Sequence, residues 1–203
     1  MHLLFGSVYA GNIDYYSALC KASKITIDSN EHFEKQSYRN RCVIAGANGR
    51  LNLIVPVKRK IGKNKLKEVR VDNNQNWRKL HWKSLESAYR TSPYFEYFEH
   101  DFYPIYMVNK YDFLLDLNKD IQDIILKYLQ IEAPISYSSS YINNVDGCID
   151  LRKDIHPKKS PSEFYNSPTY TQVFQDKMNH MPNLSILDLL FNEGPMAYEL
   201  LRK

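Results

Sequence analysis

The sequence predicts an α/β (α+β) protein with a single domain spanning residues 1–203. A small mixed or antiparallel sheet is expected from the N-terminal half, packed by helices near 77–91, 110–129 and 183–191. Three observations support this prediction. The length suits one domain, β-branched and apolar runs crowd the first 57 residues, and apolar residues follow a helical period from residue 76 onward.

The strand predictions begin with the apolar residues 3–9 and the short β-branched segment 24–28. Residues 38–45 and 51–57 form a predicted β-hairpin, because Gly46-Ala-Asn-Gly49 separates two strand-like runs. The side-chain period of two in a strand would place Arg39 and Arg41 on one face.

Three helices are predicted from apolar stripes, and a fourth from an aromatic cluster. The first stripe contains Trp77, His81 and Leu85, and this helix should end before Pro93. The aromatic segment 94–103 is expected to be helical and to stop at Pro104. The helix over 183–191 should stop at Gly194, with a short terminal helix after it. Residues 135–141 are predicted to be strand-like.

Composition and cysteine content indicate a soluble cytoplasmic protein. Three widely spaced cysteines with no CxxC pair predict reduced thiols, with no metal site and no disulfide framework. The apolar run after Met1 is short and lacks a basic leader, so it is predicted to be a strand and not a signal peptide. No run approaches the roughly 20 apolar residues of a membrane span.

The first candidate site surrounds Arg39 and Arg41, which follow Gln36 and alternate with Tyr38 and Asn40. Paired arginines grip phosphate or carboxylate groups through bidentate hydrogen bonds, so an anionic substrate is expected here. The alternative is an exposed strand face whose arginines form ordinary salt bridges.

The second candidate is His81 on the predicted helix, with Trp77 and Lys83 beside it as a stacking, cationic rim. An imidazole is suited to general acid–base catalysis near neutral pH. The alternative is a core histidine with satisfied hydrogen bonds, because His81 lies on the apolar stripe.

The third candidate is the alternating series Asp150, Arg152, Asp154, His156 and Lys158. An extended chain would place these side chains on one side, and a carboxylate that orients an imidazole is half of a catalytic triad or of a metal site. GxSxG, HExxH, GxGxxG and GxxxxGK[ST] do not occur in the sequence. Serine hydrolase and conventional nucleotide-binding motifs are therefore absent, and no cofactor is predicted.

Two further segments suggest binding surfaces. Residues 58–67 carry six positive charges, and residues 94–103 are densely aromatic. Nucleic acid or a phosphate-bearing ligand could use the basic segment, but a solvated loop between strands has the same composition. With a net charge of only +4 we do not expect nucleic acid to be the partner.

Several stretches together resemble the WbqC-like family. They are Lys35-Gln-Ser-Tyr-Arg-Asn-Arg41, Asn48-Gly-Arg-Leu-Asn-Leu-Ile-Val-Pro-Val-Lys58, Val71-Asp-Asn73, Trp77-Arg-Lys-Leu-His-Trp-Lys83, Ser87-Ala-Tyr89, Ser92-Pro-Tyr-Phe95 and Asn183-Leu-Ser-Ile-Leu-Asp-Leu-Leu-Phe-Asn-Glu-Gly-Pro195. They span nearly the full chain. Many longer members carry a His-Gln-Pro segment near the first strand, where this sequence has Ser7-Val-Tyr-Ala-Gly11.

The resemblance implies a role in bacterial surface-polysaccharide or sugar-nucleotide modification. Our first hypothesis is a transferase that moves an acyl or aminoacyl group onto a nucleotide-linked amino sugar. Arg39, Arg41 and Arg152 would bind the anionic part, and Gln36, Tyr38 and Asn40 would orient the sugar. His81 or His156 would act as general base, and Asp150 would complete the catalytic set. The second hypothesis is a non-catalytic binding or scaffold protein that uses its aromatic and basic surfaces.

Overall fold

A four-stranded parallel sheet lies at the centre of the computed structural model, which describes residues 1–58, 62, 64–143 and 145–203. Its strands are β1 (His2–Phe5), β2 (Lys24–Ile27), β5 (Ile135–Tyr137) and β6 (Ile149–Asp150), in the order β5-β2-β1-β6. The helix α1 (Ile13–Lys21) connects β1 to β2, as parallel neighbours require. The apolar residues of β1 and β2 are buried without alternation, which is typical of a sheet covered on both faces.

The predicted hairpin is confirmed as a second, two-stranded antiparallel sheet. Its strands are β3 (Arg41–Gly46) and β4 (Gly49–Ile54), and the register pairs Arg41 with Ile54 and Gly46 with Gly49. The turn residue Gly49 has φ of 113°, a conformation that glycine adopts without a steric penalty.

Four longer helices and one terminal helix complete the fold. They are α2 (Trp77–Tyr89), α3 (Phe95–Met107), α4 (Leu114–Leu129), α5 (Ile186–Glu193) and α6 (Ala197–Arg202). Two short 3₁₀ helices cover Leu66–Glu68 and Gly194–Met196. Among the described residues, no helix is both long and apolar enough to cross a bilayer. The predicted α/β class and its three main helices are confirmed.

The structure departs from the predicted strands in two ways. The main sheet is parallel, and two of its strands come from residues 135–150, which lie outside the N-terminal half. β5 falls within the predicted strand-like residues 135–141, but β6 has only two residues, too few for a periodic pattern to show. Arg39 precedes β3, so the prediction that Arg39 and Arg41 share a strand face was wrong.

Helix boundaries also differ from the predicted ones. α3 continues past Pro104 to Met107, and the burial of Ile105 and Tyr106 offsets the hydrogen bond that proline removes. α4 begins at Leu114, because residues 112 and 113 pair with the segment 70–71 instead. Ser185 caps α5, so residues 183 and 184 precede the helix.

A buried carboxylate joins two of the stretches quoted for the family resemblance. Asp188 of α5 accepts hydrogen bonds from the hydroxyls of Tyr89, at 2.7 Å, and Tyr170, at 2.6 Å, and from the amide of Gln172 at 3.1 Å. Burial raises the pKa of Asp188, against the opposing effect of these hydrogen bonds. These hydrogen bonds connect the irregular segment around Tyr170 to the helices α2 and α5.

Candidate functional site

The carboxyl ends of the four parallel strands bring together polar residues that are distant in sequence. Ser138 follows β5, Asp28 follows β2, Ser7 follows β1 and Arg152 lies just beyond β6. The Asp28 carboxylate accepts from Ser138 Oγ at 2.8 Å and from Arg152 Nη1 at 2.6 Å. Ligands of open parallel sheets bind at this edge, so it is the first place to look for a functional site.

Arg39 is part of this edge and is buried, with its guanidinium paired to Glu31. Nε donates to Glu31 Oε1 at 2.9 Å, and Nη2 donates to Glu31 Oε2 at 2.7 Å and to the carbonyl of Arg152 at 2.6 Å. Burial raises the pKa of Glu31, although Arg39 opposes the shift. The pair packs on Gly6, where a Cβ would lie 2.2 Å from Glu31 Oε1.

Arg152 is also enclosed by carboxylates. Nε and Nη2 form a bidentate pair with Asp150 at 2.9 and 2.7 Å, while Nη1 bonds to Asp28 and to the carbonyl of Ile142. Burial alone would raise the pKa of Asp150, but the hydrogen bonds and charge of Arg152 outweigh it and lower that pKa. These guanidinium N–H groups of Arg39 and Arg152 therefore donate to acceptors of the protein itself.

His156 carries unused hydrogen-bonding capacity near this edge. Its Nδ1 accepts from the backbone N–H of Lys158 at 3.1 Å, which places the proton of the neutral imidazole on Nε2. Nε2 is buried, has no hydrogen-bond partner among the described residues, and lies 3.7 Å from Oε1 of the exposed Glu34. Burial lowers the pKa of His156, and Glu34 opposes that shift. The neutral imidazole therefore presents a donor and not a base.

The series from Asp150 to Lys158 does not form the extended segment that was predicted. The chain leaves β6 after Asp150 and turns through residues 152–155. Asp154 pairs with Lys159 at 3.0 Å instead of facing Arg152. Both side chains line a cleft of about 380 Å³ beside β6, together with Ile149, Leu151, Ser160, Pro161, Ser162 and Glu163.

Arg41 differs from the other two arginines because no described residue pairs with its guanidinium. Its Nε is buried without a hydrogen-bond partner. The neighbouring predicted residues are arranged differently. Asn40 donates to the carbonyl of Val55 at 2.7 Å, Gln36 is exposed with φ of 60°, and burial raises the pKa of Tyr38 to about 12.

His81, Trp77 and Lys83 belong to α2, and their described contacts do not include the arginines or His156. His81 Nδ1 lies 2.8 Å from the hydroxyl of Tyr9, which is in turn 2.9 Å from the hydroxyl of Tyr106. Burial lowers the pKa of His81 to about 4, although a hydrogen bond to the Ile54 carbonyl opposes the shift. Lys83 is exposed and pairs with Glu86.

Only some of the predicted site residues therefore lie together in the structure. The structure brings together Arg39, Arg152, Asp150 and His156. The carboxylates that complete the group, namely Asp28, Glu31 and Glu34, were not predicted from the sequence. A signal for two of them exists, because Asp28 directly follows the β-branched run of β2 and Glu31 lies in the loop after it. Their role depends on the strand order, which that run does not reveal.

Comparison with known proteins identifies the family. The model of the WbqC-like protein family matches residues 7–168, so this chain belongs to that family. The chain is also similar to an uncharacterised protein of Mycobacterium tuberculosis, Rv1507c, at 25% identity over 93% of this chain and 91% of the relative. No solved structure matches the chain.

Proposed function

We propose that this WbqC-like protein modifies a nucleotide-linked amino sugar or a related surface-polysaccharide precursor by transferring an acyl or aminoacyl group to its amine. The observation that carries the proposal is the pair of His156 and Glu34 at the carboxyl edge of the parallel sheet. One is a largely buried neutral donor, the other is an exposed carboxylate, and 3.7 Å separates Nε2 from Oε1.

The pair supplies the two functions that acyl transfer to an amine requires. The amine nitrogen attacks the acyl carbon of a thioester or aminoacyl ester, and a C–N bond forms as the C–S or C–O bond breaks. Glu34 takes the proton that the nitrogen loses and then gives it to the leaving thiolate or alkoxide. Nε2–H of His156 donates to the oxyanion that develops on the carbonyl.

The proposed roles differ from those first expected for the same residues. His156 changes from general base to hydrogen-bond donor, because Lys158 already occupies the Nδ1 lone pair. The anion contact passes to Arg41, whose guanidinium has no partner among the described residues. Arg39 and Arg152 hold the strand ends in place through their carboxylate pairs.

The cleft beside β6 is the proposed position of the sugar. Its volume of about 380 Å³ falls in the usual range for small-molecule sites, and its lining mixes apolar and hydroxyl groups. Asp154 and Lys159 supply opposite charges on the same wall. The residues that line the cleft and His156 belong to one segment, residues 149–163.

Thermal-shift and transfer assays with a panel of sugar nucleotides test the proposal. Nucleotide-linked amino sugars should raise the melting temperature of the wild type, and Arg41→Ala should remove this response. Arg202→Ala, at an exposed C-terminal arginine, is the matched control and should respond like the wild type. A response that Arg41→Ala leaves unchanged would refute the assigned anion contact.

A second candidate function, non-catalytic binding, is favoured by two exposed tyrosines of α3. Tyr97 is 63% exposed and Tyr103 is 42% exposed. The basic segment 58–67 cannot be added to this surface, because residues 59–61 and 63 lie outside the described part of the chain. A Tyr97→Ser/Tyr103→Ser variant separates the candidates, since it should leave ligand responses intact if α3 has no binding role.

A further inference from the structure

Two exposed aromatic rings lie together at the carboxyl edge of the parallel sheet. His32 belongs to the loop after β2, and Tyr141 belongs to the loop after β5, which is the neighbour of β2 in the sheet. His32 is exposed, and Tyr141 is 41% exposed. Their ring centroids are 6.3 Å apart, and the ring planes are tilted by 32°. This is the edge at which open parallel sheets bind their ligands.

Tyr141 is held in place although its ring is partly open to solvent. The next residue, Ile142, donates its backbone N–H to Asp28 at 3.2 Å, and its carbonyl accepts from Arg152 Nη1 at 3.0 Å. The guanidinium carbon of Arg152 also lies 5.0 Å from the centroid of the Tyr141 ring, which is a cation–π contact. The ion pairs of the edge therefore position an exposed ring.

The loop that carries His32 is also fixed through its backbone. His32 forms an antiparallel bridge with Lys65, and the N–H of Phe33 donates to the carbonyl of Asn64 at 2.9 Å. Both rings thus project from backbone segments that are ordered without a ligand. Such preorganisation lowers the entropic cost of binding.

We infer that Tyr141 and His32 form a stacking platform for the base of a nucleotide. Aromatic side chains bind flat rings by stacking, and every nucleobase has a face that can stack in this way. The sequence contains no glycine-rich phosphate loop, so contacts to the base have to contribute to recognition. The inference rests on the proposed function and deepens it, because it assigns a place to the base of the nucleotide-linked substrate.

The platform lies close to the proposed reaction site along the chain. His32 and Glu34 are two residues apart, and two residues of extended chain span at most about 7 Å. Arg152, which contacts the Tyr141 ring, also accepts a hydrogen bond from Arg39 at its carbonyl. A nucleotide-linked sugar is long enough to place its base on the platform and its sugar beside Glu34.

The alternative role for Tyr141 is to shield the ion pairs of Arg152 from water. Two substitutions separate the roles. Tyr141→Leu keeps an apolar cover over Arg152 and removes the aromatic ring, whereas Tyr141→Phe keeps the ring and removes the hydroxyl. A shield requires only apolar area, but stacking requires the ring.

Titration calorimetry of the full chain with the 5′-diphosphates of uridine, cytidine, guanosine and adenosine tests the inference. Wild type should bind at least one of them. Tyr141→Leu should weaken this binding roughly 5- to 100-fold, which corresponds to one lost base–aromatic stack. Tyr141→Phe should stay within about twofold of the wild type, since the ring remains. Inorganic pyrophosphate, which lacks a base, should give the same result with Tyr141→Leu as with the wild type.

Tyr97→Leu is the matched control. Tyr97 is 63% exposed and also has a histidine ring beside it, but the ring of His100 is edge-on, at 89°. This variant should bind the nucleoside diphosphates like the wild type. Equal losses at Tyr97 and Tyr141, unchanged affinity in Tyr141→Leu, or no binding of any nucleoside diphosphate by the wild type would overturn the inference.

The choice of probes keeps this inference separate from the proposed transferase. Nucleoside diphosphates carry no amino sugar, so their Tyr141-dependent binding would support the platform even if no transfer to an amine were found. Binding of a nucleotide-linked amino sugar that depends on His156 but is unchanged in Tyr141→Leu would refute the platform alone.

Discussion

Arg39 donates two hydrogen bonds to Glu31 directly over the backbone of Gly6, at the carboxyl end of β1. The pair couples the loop after β2 to the segment that leads into β3, and Arg39 also reaches the carbonyl of Arg152 beyond β6. Three strand ends are therefore held by one guanidinium. The geometry of His156 and Glu34 depends on this support, because both lie in segments that the arginines fix.

Gly6→Ala should destabilise the fold, because the added Cβ would lie 2.2 Å from Glu31 Oε1 and 2.5 Å from Arg39 Nη2. We expect the free energy of unfolding to fall by about 2–4 kcal/mol, from overpacking and distortion of the ion pair. Chemical denaturation measures it. The control is Gly46→Ala, whose Cβ meets its nearest atom at 3.2 Å and should cost less. Equal losses at the two glycines would contradict the account.

Arg39→Met should cost about 3–5 kcal/mol, since it leaves the Glu31 carboxylate buried without its partner. Adding Glu31→Leu removes that unpaired charge, so the double variant should recover part of the loss. A double-mutant cycle with all four proteins measures the coupling. Additive losses would mean that the two side chains do not depend on each other.

Acidification should weaken the fold through His81. Burial lowers its folded-state pKa to about 4, below the ordinary value of 6.5, so the unfolded chain binds more protons between these values. Stability present above pH 6.5 is lost as the pH falls toward 4, amounting to about 2 kcal/mol by pH 5.

Denaturant unfolding of wild type and His81→Gln at pH 7.5 and pH 5 measures this contribution. The difference between the two proteins isolates His81 from the carboxylates, such as Asp14, Glu31 and Asp188, whose raised pKa values act in the opposite direction. His100→Gln is the exposed control. If His81→Gln kept the full pH dependence of the wild type, the prediction would fail.

Asp188→Ala should cost about 2–4 kcal/mol, because it leaves the hydroxyls of Tyr89 and Tyr170 and the amide of Gln172 without their shared acceptor. Asp188→Asn should cost less, since the amide oxygen still accepts. Thermal unfolding ranks the two variants, and limited proteolysis near Tyr170 should be faster in Asp188→Ala. Unchanged proteolysis would show that Asp188 does not fasten this segment.

The elements that the sequence predicts well are those whose signal is local. The Asn-Gly turn defines the hairpin, and the stripe that contains Trp77, His81 and Leu85 defines α2. β5 lies within the predicted strand-like segment 135–141, but β6 has too few residues for such a signal, and the order and direction of the strands could not be derived from periodicity.

The site was less predictable because its residues meet through strand order. Arg39 is polar and follows a polar segment, so nothing local indicates that Glu31 will bury it. The tautomer of the neutral His156 imidazole depends on the backbone N–H of Lys158, which the turn places beside Nδ1. The isolation of His81 from the arginines likewise follows from helix packing and not from composition.

Titration calorimetry with nucleotide-linked amino sugars tests the central claim, that His156 and Glu34 serve a ligand at the carboxyl edge, most directly. Wild type should bind at least one of them, and His156→Ala should weaken this binding by roughly tenfold, or about 1.4 kcal/mol, through loss of the Nε2 donor. His156→Gln, which keeps an N–H donor, should lose less, and Glu132→Gln at an exposed position should bind like the wild type. Wild-type affinity in His156→Ala, or no binding of any nucleotide-linked amino sugar by the wild type, would contradict the account.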